Sequence, residues 1–96
     1  MGIDDLLQTK RDEILGITKA RGARNVRVFG SVARGDAGPD SDVDFLVDME
    51  PGSTLLDMGG LVMDLQDLLQ RKVDVVTERE VSRYIKRNVL AGAIPL

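Results

Sequence analysis

The sequence predicts an α/β (α+β) fold, a small β-sheet with helices packed against it, in a single domain spanning residues 1–96. Two observations carry that expectation. Short runs rich in Val, Ile and Phe alternate with longer runs whose apolar residues recur at helical spacing, and clusters of Gly, Pro, Asp and Ser separate them. The 96 residues are 43% apolar and 30% charged, an ordinary balance for a chain that folds around one core and has no room for a second. A domain this short buries only roughly 60–65% of its unfolded surface, so a partner surface would add to a modest stability.

The elements follow in order. Ile3, Leu7, Ile14 and Ile17 recur at helical spacing and predict one helix from Ile3 to about Arg21, with Gly22 as its stop. "NVRVFG" reads as a strand with Val26 and Val28 on one face, Arg27 and Phe29 on the other, ending at Gly30. "SVARG" predicts a short helix stopped by Gly35, and the loop formers of "DAGPDS" lead into a second strand, "DVDFLVDM". Pro51 and Gly52 break that strand. Ser53 is the expected cap of a helix carrying Leu55, Leu56, Val62, Leu65, Leu68 and Leu69, with Met58 and Met63 as core-facing residues. Gly59 and Gly60 weaken its middle by up to about 1 kcal/mol each relative to alanine, which predicts close packing or a bend there. "KVDVVT" is the third strand. Thr77 and Glu80 form a capping-box pattern that opens a last helix through about Ala91, ended by Gly92 and Pro95.

Composition narrows the chemistry. The chain has no Cys and no His, which removes disulfides, thiolate and imidazole metal sites, and Ser–His or Cys–His hydrolysis. Carboxylate, lysine, serine and arginine chemistry remain. The net charge of −3 argues against direct nucleic-acid binding, whose affinity comes from Lys and Arg neutralising phosphates. No apolar run approaches the ~20 residues of a membrane span, and the N-terminus lacks the plan of a signal peptide, so a cytoplasmic protein is expected.

The chemistry concentrates between Gly30 and Asp44. Residues two apart on a strand project from one face, so Asp42 and Asp44 set two carboxylates side by side while Val43, Phe45 and Val47 face the other way. Two like charges repel unless a cation sits between them, and hard oxygen donors without Cys or His favour Mg²⁺ or Mn²⁺ over zinc. Upstream, Gly30 lets the backbone approach a ligand closely, and Ser31 sits at a strand-to-helix turn where its hydroxyl and the first helical N–H groups fit a phosphate. Arg34 lies one turn on and adds a charged donor. A third carboxylate, Asp74, reaches the same face if the second and third strands are neighbours. Singly, each piece is as ordinary as a helix cap, a solvated strand end or a surface arginine. In order, with ten residues between Ser31 and Asp42, they form a pattern.

That pattern resembles the nucleotidyltransferase superfamily of DNA polymerase beta, whose signature is Gly-Ser, a spacer, Asp-x-Asp and a later strand carboxylate. "GSVARGDAGPDSDVDFLV" and the short length resemble the minimal nucleotidyltransferases (MNT) in particular, over nearly the whole chain. The resemblance implies the polymerase beta-like fold with a small mixed sheet. It implies Asp42, Asp44 and Asp74 as catalytic residues and ligands of two Mg²⁺ ions, with Asp74 as ligand or general base. Gly30, Ser31 and Arg34 would bind the nucleotide, with ATP as substrate. Larger relatives carry a helical domain that holds the acceptor, for which this chain has no room. Minimal members are commonly antitoxins paired with a HEPN-domain ribonuclease toxin and transfer AMP to one of its tyrosines, so the resemblance implies an antitoxin that neutralises its partner by AMP transfer. A module that neutralises by contact alone, and transfer to a small molecule or a nucleic acid, are the alternatives.

Two further stretches have two readings each. Arg83, Lys86 and Arg87 around Tyr84 make a basic stretch that meets a triphosphate or an acidic partner, or else a solvated helix face with Tyr84 and Ile85 packed inward. The tail "VLAGAIPL", with Val89, Leu90, Ile94 and Leu96, suits an interface or covers the sheet.

Overall fold

The computed structural model describes residues 3–35, 38, 41–78 and 92–96. The elements are α1 (Ile3–Thr9), α2 (Arg11–Ala20), β1 (Ala23–Phe29), α3 (Gly30–Arg34), β2 (Val43–Met49), α4 (Leu55–Leu69), β3 (Val73–Thr77) and β4 (Ile94–Pro95). They build a mixed sheet in the order β3-β2-β1-β4, with β2 and β3 parallel and the other two pairs antiparallel. A parallel pair needs a long crossover, and α4 supplies it. No helix among the described residues is long and apolar enough to cross a membrane.

Alternation along β2 decides the layers. Val43, Phe45 and Val47 are fully buried and join Ile14 of α2, Val26 and Val28 of β1, and Leu61, Leu65 and Leu69 of α4 in the main core. Leu46 points the other way and is also fully buried, under Phe29, Val76 and Ala93. Arg24 and Arg27 of β1 pair with Asp48 and Leu46 of β2 across a register shift, one extra residue lying in β1. Asn25 takes up that bulge at φ 52°, a left-handed conformation that asparagine tolerates better than most residues.

Three sequence expectations change. The first helix is two: Lys10 forms a turn at φ −96°, ψ 6°, though its N–H still donates to the Leu6 carbonyl at 2.9 Å and its carbonyl accepts from Ile14 at 2.9 Å. Within α2, Thr18 takes a buried position beside partly buried Ile17, its hydroxyl satisfied by the Leu15 carbonyl at 3.0 Å. The cap of α4 is Thr54, not Ser53: the Thr54 N–H donates to the Asp57 carboxylate at 2.9 Å, and Asp57 N–H donates back to the Thr54 hydroxyl at 3.4 Å. Leu55, Leu56 and Met63 are exposed, because the inward face of α4 is the Leu61–Leu65–Leu69 row.

The tail differs as well. Ile94 and Pro95 pair with Val28 and Arg27, the Leu96 N–H donates to the Val26 carbonyl at 2.9 Å, and the Arg11 Nε donates to the Leu96 carbonyl at 2.6 Å. An edge strand can hold a proline because its outward N–H has no ladder partner to lose. The tail therefore extends the sheet by an edge strand, which neither of its two readings names. The expected helix from Thr77, with Glu80, Arg83, Tyr84, Ile85, Lys86, Arg87, Val89 and Leu90, lies outside the described residues apart from Thr77, the last residue of β3, and Glu78.

Candidate active site

Strand pairing brings the sequence motif together. Phe29 pairs with Asp44 across β1 and β2, and Gly30 follows directly, so the Gly-Ser turn lies against the start of the Asp-x-Asp strand. On the other side Asp44 pairs with Asp74 in the parallel β2–β3 register. The neighbouring of the second and third strands, a condition in the sequence reading, is met. Asp42 stands just before β2, half-buried like Asp44, whereas Asp74 is exposed.

Gly30 is needed for two reasons. Its φ of +73° is left-handed, and a Cβ at this position would run into the Asp44 carboxylate. The glycine thus admits both the turn into α3 and the close approach of Asp44. Ser31 follows in the first turn of α3, half-buried, and Gly35 closes the helix at φ +79° with its N–H on the Val32 carbonyl at 3.2 Å. Arg34 is exposed at the end of α3.

Electrostatics single out Asp44. Burial pushes its carboxyl above the usual range, the nearby Asp74 and then Asp42 push it further, and Arg34 opposes them. The charges of Asp42 and Asp74 thus bear on Asp44, with that of Arg34 against them. Carboxylate oxygens are the hard donors that Mg²⁺ takes. Among the described residues, as the side chains stand, no three carboxylates are gathered closely enough to hold an ion. The carboxylates fit such an ion in donor chemistry alone.

The far end of the same face is built differently. Asp48 accepts hydrogen bonds from Arg27 Nη2 at 3.2 Å and Asn25 Nδ2 at 3.0 Å, and Arg27 also lies 3.8 Å from Glu78. A cleft of about 600 Å³ opens there, lined by Asp48, Met49, Thr54, Leu55, Met58 and Thr77, away from the Asp44 pair. Phe29, read from sequence as a plain strand residue, stands beside Asp44 and packs on Leu46; only the register reveals this, since nothing in a lone Phe before Gly signals it.

Comparison with known proteins agrees with the geometry. Residues 11–96 match the family model described as Nucleotidyltransferase domain. The protein adenylyltransferase MntA of Thermococcus cleftensis is 44% identical over 73 residues, covering 76% of this chain and 74% of the relative. MJ0435 of Methanocaldococcus jannaschii, assigned as a protein adenylyltransferase, is 33% identical over 82 residues, covering 85% and 88%. A solved structure assigned as a minimal nucleotidyltransferase superposes with a TM-score of 0.87 at 46% identity, covering 100% of this chain and 97% of that one. A toxin–antitoxin crystal structure with AMP-PNP shares the fold at a TM-score of 0.74 and 21% identity, covering 88% and 69%. A mixed four-stranded sheet that sets a Gly-Ser turn against paired aspartates, and a family match over most of its length, make this chain a member of the nucleotidyltransferase domain family.

Proposed function

We propose that this chain is a minimal nucleotidyltransferase, one domain over residues 1–96, that transfers AMP from ATP to a tyrosine hydroxyl of a HEPN-domain toxin and so neutralises it as an antitoxin in the cytoplasm. The observation that carries the reading is the Asp44–Asp74 register beside Gly30 and Ser31. Relatives named protein adenylyltransferase support the transferred group, and toxin–antitoxin complexes of the same fold, one with AMP-PNP, support the kind of partner and the nucleotide.

In this reading the acceptor oxygen bonds to the α-phosphorus of ATP, the bond from that phosphorus to the β-bridging oxygen breaks, and pyrophosphate leaves. Gly30 and Ser31 hold the β- and γ-phosphates, the glycine by close backbone approach and the serine by its hydroxyl. Arg34 adds positive charge beside them. Asp42, Asp44 and Asp74 would hold two Mg²⁺ ions, which when bound supply charge neutralisation at the attacking and leaving oxygens. Asp74, the exposed member, takes the proton from the acceptor hydroxyl. No imidazole is needed, in keeping with a chain without histidine.

The test is incubation with Mg²⁺ and ATP labelled at the α-phosphate, beside the protein encoded next to it. Label on a tyrosine of that protein, absent when the γ-phosphate carries the label and absent with the Asp42→Asn, Asp44→Asn double variant, is expected. A tight complex that acquires no label would overturn transfer in favour of neutralisation by contact.

A further inference from the structure

We infer that Gln66 is a positioning residue for nucleotidyl transfer: its side-chain carbonyl anchors the start of β3 and so fixes where the Asp74 carboxylate stands beside Asp44. The inference rests on the proposed role of Asp74. It extends that role to a residue of α4, the helix that packs on the Val43–Phe45–Val47 face of the sheet, opposite the Asp44 and Asp74 face.

The register shows which donor needs Gln66. The Val43 N–H donates to the Lys72 carbonyl at 3.0 Å. Within a strand the N–H and C=O of one residue point to the same side, so Lys72 and Asp74 turn their backbone groups toward β2 and Val73 turns its own away. β3 is an edge of the described sheet, so no strand of that sheet meets the Val73 N–H. Val73 is buried, and a donor withheld from water needs a partner. Gln66 Oε1 supplies it, accepting from the Val73 N–H at 3.2 Å.

The turn between helix and strand is built around the same residue. Gln70 ends α4 in a left-handed conformation at φ 53°, and its N–H donates to the Gln66 main-chain carbonyl at 2.8 Å. Its Nε2 donates to the Asp67 carbonyl at 2.7 Å. Gln66 thus holds both ends of the turn, one by its main chain and one by its side chain. Lys72 in turn holds Val43, which stands between Asp42 and Asp44, and Asp74 directly follows the anchored Val73. Burial of Val73 selects the face, because a slip of one residue would send Asp74 into the core. A directional hydrogen bond fixes the strand more finely than burial does, and a displacement of about 1 Å near a reacting group costs up to about 10²-fold in rate.

The test measures kcat and KM for ATP labelled at the α-phosphate, with Mg²⁺ and the protein encoded next to it, in the wild type, Gln66→Met and Gln66→Glu. Methionine keeps the length and loses the acceptor, whereas glutamate keeps an acceptor oxygen. Gln66→Met should lower kcat about tenfold and leave KM within about twofold, since Gly30 and Ser31 hold the phosphates from a different element. Gln66→Glu should restore most of the rate. In an Asp74→Asn background Gln66→Met should cause no further loss, as expected of a residue that acts through Asp74. Urea melts establish folding, and Asp48→Asn serves as the control for loosening the sheet alone. No transfer by the wild type would overturn the proposed function and this inference with it. With the wild type active, the inference alone is overturned by an unchanged kcat in Gln66→Met, by a Gln66→Met chain that no longer folds, by Gln66→Glu as slow as Gln66→Met, or by an equal loss in the Asp74→Asn background.

Discussion

Asp44 and Asp48 stand four residues apart on one strand and on one face of the sheet, and they have opposite surroundings. Asp48 receives Arg27 and Asn25 at 3.2 and 3.0 Å and ties the bulge of β1 to β2. Asp44 faces Asp74 across the parallel pair, with Asp42 behind it and Gly30 cleared of side chain to let it in. The same residue type thus stabilises the fold at one end and strains it at the other. Like charge gathered this closely, with Arg34 against it, is costly in a fold whose only task is to stay folded, and clusters of that kind concentrate at functional sites.

The sharpest way to break this contrast is Asp44→Asn. Nucleotidyl transfer should fall by roughly 10³-fold or more, while the folded state becomes more stable at neutral pH. The sign follows from the raised carboxyl. A proton bound more tightly in the folded state contributes stability below pH about 4 that is lost as pH rises through the raised folded value. Melting temperatures from pH 3 to 8 should therefore show the variant ahead of the wild type at pH 7 and level with it at pH 3. A variant less stable at pH 7 would remove the strain from the account.

Next in size is the pair Gly30→Ala and Gly35→Ala. Both glycines are left-handed, at +73° and +79°, so each substitution carries the same backbone penalty of about 1–2 kcal/mol. Only at Gly30 does the methyl meet Asp44, whereas nothing lies within 4 Å at Gly35. Denaturant melts should find Gly30→Ala the more destabilised, and its transfer rate should drop by about 10²-fold through displacement of the carboxylate. Equal losses of stability and rate would reduce Gly30 to a turn residue.

The smallest effect belongs to Asp48→Asn. It weakens the pairing of Arg27, whose side chain is only 12% exposed, and should cost about 1–2 kcal/mol in denaturant unfolding, since Glu78 still lies within reach of the guanidinium. Transfer should stay within a few-fold of wild type. A large loss of transfer would extend the site along the whole face.

Much of this was legible in the chain. Period-two alternation in β1 and β2 and the Leu-rich spacing of α4 place the layers, and the Gly30–Ser31 and Asp42–Asp44 spacing marks the site. What spacing leaves out is register. That Asp44 lies beside Asp74 depends on β2 and β3 being parallel neighbours, and that Asp48 is paired depends on the register that sets Arg27 opposite Leu46, two residues away on the same face. Local hydroxyls are ambiguous: Ser53 and Thr54 are both capable caps, and Asp57 three residues after Thr54 decides between them. Apolar residues are ambiguous too. Leu55, Leu56 and Met63 satisfy a core pattern as well as Leu61 does, and only the direction in which α4 meets the sheet sets them outside. The tail strand of Ile94 and Pro95 is too short for periodicity to reveal and is held by the Val26 carbonyl beyond it.

The central claim, that the two aspartates of one strand divide function from structure, is met most directly by calorimetric titration of a non-hydrolysable ATP analogue with Mg²⁺ into the wild type, Asp44→Asn and Asp48→Asn. Binding by the wild type and by Asp48→Asn with closely similar affinity, and none by Asp44→Asn, is expected. Binding retained in Asp44→Asn, or lost equally in both variants, would contradict it.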